Sequence, residues 1–210
     1  MDIYTKIRFI AVAAIPLIFA ITLHEAAHGC LANKFGDKTA LMMGRVTLNP
    51  LKHIDPIGTI ILPGVMILLG GIIFGWAKPV PVAWQNLRHP RRDMALVAIA
   101  GPFTNLLMAF MWAAIGKVTM MIFQGNPPEL LKSTAMFIHY ASLFGIQINI
   151  ILMILNLIPI PPLDGSRVVS SILSPHAASL YEKIEPYGIW ILLGLLVLGV
   201  LGYLLLPPVR

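Results

Sequence analysis

The chain has 210 residues, 58% of them hydrophobic and 11% charged, with a mean hydropathy of +0.83, a composition that excludes an ordinary soluble domain and implies several membrane crossings. The net charge of +6 comes from Lys and Arg set between apolar runs, with no basic stripe interleaved with aromatics, which argues against nucleic-acid binding. The single cysteine, Cys30, excludes an intrachain disulfide.

The first apolar run extends from Phe9 to Asn33 and is preceded by Lys6 and Arg8, as in a signal peptide. It is as long as a full span of ~20 residues, and His28 and Gly29 fit poorly before a lipoprotein cysteine, so a retained helix is expected. Within it lies HEAAH, His24 to His28. Residues four apart share a helix face, so both imidazoles can reach one metal ion, and Glu25 is placed to take a proton from water activated there. The alternative is a pair of core histidines bonded to neighbouring helices, with Glu25 protonated or paired. A membrane setting weakens that alternative, because a buried carboxylate costs several kcal/mol without a partner or a task.

The segment after this helix is polar and irregular. Gly44 to Leu48 alternates β-branched and other side chains and is a candidate strand edge, or else an interfacial loop. Asn49, Lys52, His53 and Asp55 form either a path for water or a solvated loop, and His53 in that setting is expected at the surface, with a substitute metal ligand or a carbonyl-polarising group as the alternative. The second apolar run, Pro56 to Gly75, is cut by Pro63-Gly64 and Gly70-Gly71, so it is either a span or a re-entrant hairpin. The connection from Trp76 to Asp93 is the longest without structure of its own, and no gap between runs has room for a soluble domain. Residues 1–210 therefore read as a single membrane-embedded domain.

Two further spans are expected at Met94 to Phe123 and Ala135 to Ile160, and another at Tyr187 to Leu206. Asn105 and Asn149 within them read as interhelical hydrogen-bond partners. His89, His139 and His176 read as structural, and Cys30 as a small packed hydrophobe. Between the last two runs stands NLIPIPPLDGSR, residues 156 to 167, whose prolines break a helix and leave Asp164 free to point inward, although Asp-Gly is also an ordinary turn pair. The fold class is an all-α polytopic membrane protein, with four to five transmembrane helices and a re-entrant or short β-like insert after the first.

HEAAH at 24 to 28, GPFTN at 101 to 105 and NLIPIPPLDGSR at 156 to 167, in that order, resemble the motifs of the site-2 protease family of intramembrane zinc metalloproteases. The resemblance implies one zinc ion per chain held by His24, His28 and Asp164, with Glu25 as general base and Asn156 helping to hold the scissile carbonyl. It implies a substrate that is a transmembrane segment of another protein, cut within the lipid bilayer during regulated intramembrane proteolysis. The insert at residues 46 to 82 resembles that of a compact subgroup without PDZ-like or nucleotide-sensing modules. Two other readings stay open: a divalent-metal transporter, and a relative that binds helices without cutting them. Substrate and oligomeric state are not legible.

That ligand set also constrains topology. The end of the first helix and the segment carrying Asp164 must share one side of the membrane, which requires an even number of crossings between residues 34 and 93. A re-entrant second run then puts Lys34, Lys38, Arg45, Lys52, Lys78, Arg88, Arg91, Arg92, Arg167 and Lys183 on one side, ten cations, against Lys6, Arg8, Lys132 and Arg210 on the other, four. The positive-inside rule prefers this arrangement and sets the site toward the cytoplasmic face of the cell membrane, with four full spans and both termini outside.

Overall fold

The computed structural model of the chain describes residues 2–61, 64–65, 75–125 and 127–205. Its first helix, α1 (Ile3–Lys34), is opened by Asp2, whose carboxylate accepts from the Thr5 backbone N–H at 2.7 Å, satisfying one of the free donors of the first turn. It ends where Gly36 takes a φ of +115°, and a short helix α2 (Thr39–Met42) follows. After an irregular stretch, α3 (Pro90–Gln124) starts with proline at its first position, where the missing N–H costs nothing. Then come α4 (Glu129–Leu157), α5 (Asp164–Ile172), α6 (Pro175–Glu182), α7 (Gly188–Val197) and α8 (Val200–Leu205).

Among the described residues three helices, α1, α3 and α4, are long and apolar enough to cross a membrane. The run from Tyr187 to Leu206, expected as one span, is divided at Gly199, whose φ of +74° ends α7 after 10 residues and leaves α8 with 6. Hydropathy registers where a segment is soluble, not where its backbone turns. The run from Pro56 to Gly75 lies largely outside the described residues, but its two ends are visible and they meet. The Gly58 carbonyl accepts from the Trp76 N–H at 3.1 Å, and the Thr59 hydroxyl donates to the Trp76 carbonyl at 2.8 Å. Gly44 to Leu48 passes through turn and bend, and no β-strand forms among the described residues.

The long helix α3 packs against α1, α4 and α5, and α1 also packs against α4. Lipid tails are as apolar as leucine, so close approach rather than water exclusion must hold such helices together, and the contacts are accordingly made by small residues. A Cβ on Gly145 would stand 2.5 Å from the Trp112 ring, and one on Gly116 would stand 2.8 Å from the Ser142 hydroxyl. At the core, the Asn105 carboxamide on α3 donates to Asn149 Oδ1 on α4 at 2.9 Å, while Asn149 Nδ2 donates to the Gly145 carbonyl at 2.8 Å. Both asparagines are fully buried and join helices, as expected from sequence; each such bond contributes about 1 kcal/mol in a membrane. Phe103, Leu107, Phe110 and Met111 face outward, where lipid would lie.

Candidate metal centre

One helical repeat puts His24 and His28 on the inner face of α1, and both are buried against α3. Each imidazole is oriented by its Nδ1. That of His28 donates to the Val97 carbonyl at 2.7 Å, and that of His24 donates to Asn105 Oδ1 at 2.6 Å. The Asn105 assignment is consistent, because its Nδ2 is occupied in donating to Asn149. With both Nδ1 protons so placed, each neutral ring presents a bare lone pair at Nε2.

Those two lone pairs face each other at 3.1 Å, and Asp164 Oδ2 stands 3.2 Å from the Nε2 of His24 and 3.3 Å from that of His28. No hydrogen-bond donor reaches Oδ2, although the atom is buried. Three electron-rich atoms converging on one point without a donor among them fit a cation. A tetrahedral zinc ion with ligand bonds of about 2.0–2.1 Å has ligand-to-ligand edges of about 3.3 Å. The observed triangle matches those edges, and two nitrogens with one carboxylate oxygen make a donor set that leaves the fourth position open for catalysis. Zinc therefore fits these residues.

Asp164 arrives by a route that depends on glycine. After α4 ends at Leu157, the chain turns through the proline segment and starts α5 on Asp164 itself. Gly165 follows, and any side chain there would collide with the Leu157 carbonyl, so the return against the end of α4 is open only to glycine. The same logic applies on α3. A Cβ on Gly101 would stand 2.5 Å and 2.6 Å from the Cε1 and Nε2 of His24 and nearer still to the Nε2 of His28. The GPFTN segment thus makes room for both imidazoles, with Asn105 one turn further along holding one of them.

Glu25 follows His24 on α1, and its Oε2 accepts from the Val80 backbone N–H at 2.6 Å. Asn156 is turned back on its own helix, with Nδ2 donating to the Leu152 carbonyl at 3.0 Å. Two expectations need correcting. His53, expected at the surface, is 1% exposed: its Nε2 donates to the Thr47 carbonyl and its own carbonyl accepts from the Lys78 N–H, so it pins the two polar segments together rather than meeting solvent. Cys30, expected to be packed, is exposed on the outer side of α1 in a groove shared with Ala27, Phe103 and Thr104. Asp37 belongs to no motif in the sequence, yet it is fully buried. Burial pushes its pKa up, but donors from Thr39, the Ala83 backbone and Asn86 outweigh this and hold it below the usual carboxylate range, as an ionised knot between the end of α1 and residues 83–86.

The profile of peptidase family M50 matches residues 116–199. A Bacillus subtilis (strain 168) protein, "Putative zinc metalloprotease YwhC", is 38% identical over 205 residues, covering 98% of this chain and 89% of the relative. "Putative zinc metalloprotease Rip2" of Mycolicibacterium smegmatis is 29% identical over 181 residues, and the chain spans 64% of its length. An archaeal relative, from Methanocaldococcus jannaschii and also named as a zinc metalloprotease, is 32% identical over 109 residues, 52% of this chain and 43% of its own. No solved structure gives a match. A triangle of potential metal donors gathered from two helices, α1 and α5, together with a relative of similar length and 38% identity, places the chain in peptidase family M50, the site-2 protease family of intramembrane zinc metalloproteases.

Proposed function

We propose that this multi-pass membrane protein hydrolyses peptide bonds within transmembrane segments of other membrane proteins, with His24, His28 and Asp164 holding zinc and Glu25 acting as general base. The observation that carries the reading is the triangle of 3.1, 3.2 and 3.3 Å between three donor atoms whose protons are accounted for elsewhere. Bound there, zinc supplies polarisation of the scissile carbonyl and lowers the pKa of its water to about 7. Glu25 takes the proton of the attacking water and delivers it to the leaving amine. Asn156 holds the scissile carbonyl, for which its carboxamide exchanges the bond to Leu152 for one to substrate. A helical substrate hides its carbonyls in its own ladder, so it must be extended before attack. A metal transporter would need acidic ligands along a path to both faces, and among the described residues one group of this kind is found.

Purified full chain in lipid nanodiscs, given a quenched-fluorophore peptide with a 20-residue apolar span interrupted by glycine, is expected to cut within that span. Chelation should remove the activity and zinc should restore it, whereas cleavage indifferent to chelation would refute the reading.

The site lies toward the cytoplasmic face in this proposal, and residues 1–210 act as one domain. Support comes from the meeting of residues 58 and 76: a single crossing of ~30 Å would part its two ends by the thickness of the bilayer. The ten-to-four division of cations then favours the cytoplasm for the side carrying both segments. Accessibility tags at the exposed Met42 and Gln85 should label from the same, cytoplasmic side. Labelling from opposite sides would refute the topology.

A further inference from the structure

Arg45 poses a problem of charge. It is 7% exposed, no carboxylate lies within ion-pair distance among the described residues, and its Nε has no acceptor. Burying a guanidinium in this way is costly unless its charge is used. Both hydrogen bonds of the guanidinium run from Nη2 to consecutive carbonyls, Lys78 at 2.8 Å and Pro79 at 3.3 Å. The next N–H along the chain, that of Val80, is the one that donates to Glu25 Oε2 at 2.6 Å.

The Pro79 carbonyl and the Val80 N–H belong to one peptide group and, across a trans bond, point in opposite directions. Arg45 and Glu25 therefore clamp that group from its two sides. A cation drawing on the carbonyl makes the N–H a stronger donor, and a carboxylate on the N–H makes the carbonyl a stronger acceptor, so each bond reinforces the other. The missing counter-ion of Arg45 is Glu25, reached through a peptide plane instead of by contact. The surroundings hold that plane still: Lys78 N–H is bound to the His53 carbonyl at 3.0 Å, and Val46 and Val80 both close over Gly29, where a Cβ would stand 3.0 and 3.2 Å from them. Pro79 and Pro81 stiffen the strap on either side of Val80.

We propose that Arg45 is a positioning residue for peptide-bond hydrolysis: through the Pro79–Val80 peptide it fixes one oxygen of Glu25 and leaves the other to carry the proton. The proposal rests on Glu25 being the general base. Its test uses zinc-loaded full chain in nanodiscs, as wild type, Arg45→Met, Arg45→Lys and Glu25→Gln, with the same quenched transmembrane peptide. Arg45→Met is expected to lower kcat by about tenfold at unchanged KM and unchanged zinc content, and Arg45→Lys to recover most of that loss. Hydrogen exchange supplies a readout that needs no substrate, because the two prolines leave Val80 as one of four amides in residues 77–82. Its exchange should quicken by about tenfold in Arg45→Met. In Glu25→Gln the Val80 amide should change alone, with Lys78 still bound to His53. Wild-type kcat or unaltered Val80 exchange in Arg45→Met overturns the proposal, as does a rise in KM alone. If wild type and Glu25→Gln cleave equally, it is the role of Glu25 that fails.

Discussion

Replacing Glu25 with Gln should lower the rate of peptide cleavage by about 10³-fold and leave zinc binding as it was. The expectation follows from where Glu25 stands. It is not among the three residues whose donor atoms converge, so the metal loses no ligand. Gln is close to isosteric, and its carbonyl oxygen can still accept from the Val80 N–H that Glu25 Oε2 meets at 2.6 Å, as a weaker neutral acceptor, so the local fold is kept while the Val80 amide exchanges faster. What the substitution removes is the capacity to accept a proton, and a general base contributes about 10²–10⁴ in rate. Zinc per chain measured by mass spectrometry, beside single-turnover cleavage of a transmembrane peptide, separates the two effects. Full activity in the Gln form would end the role given to Glu25. Loss of zinc together with activity would instead mean that the carboxylate is a ligand. A transporter would carry metal across the membrane in both forms and cleave in neither.

The parts of this centre that the sequence made legible are those encoded by local spacing. HEAAH carries its own geometry, since four residues on an α-helix return to the same face, and the structure finds both imidazoles there. Asp164 was reachable through motif resemblance, not through spacing, because 136 residues separate it from His28 and only the tertiary fold closes that distance. What could not be read are contacts made by backbone and by the absence of side chains. The Val97 carbonyl that orients His28 leaves no mark in an amino-acid string, and the Val80 N–H on Glu25 leaves none either. Arg45 and His53 looked like ordinary members of a polar loop; they are buried because carbonyls of Lys78, Pro79 and Thr47 are presented to them. The three long spans were visible as apolar runs, while the division at Gly199 depends on one residue adopting a left-handed φ, which hydropathy does not record.

A methyl group at position 101 should empty the metal site. In Gly101→Ala the new carbon would lie 2.5 Å from Cε1 and 2.6 Å from Nε2 of His24, and closer to Nε2 of His28, distances that real Cβ atoms do not show. Something must therefore shift, and none of the neighbours is a flexible side-chain end with room to withdraw. His28 is held by its bond to Val97, on the same helix as the intruding methyl, and His24 by its bond to Asn105, whose other end is tied to Asn149. If α3 backs away from α1, both orienting acceptors go with it; if the rings rotate instead, their Nε2 atoms leave the triangle with Asp164. Either response breaks a geometry in which weakening a single orienting bond already costs 10–100-fold in metal affinity, so zinc binding should fall by roughly 100-fold. The comparison is Gly194→Ala on α7, where the added carbon meets nothing within 4 Å and zinc should stay at the wild-type level. Helix content by circular dichroism should be alike in the two variants, so that the loss is assigned to the site and not to unfolding. A Gly101→Ala chain that retains one zinc ion at wild-type affinity would mean that the two histidines do not meet the metal from the face of α1 that packs on α3.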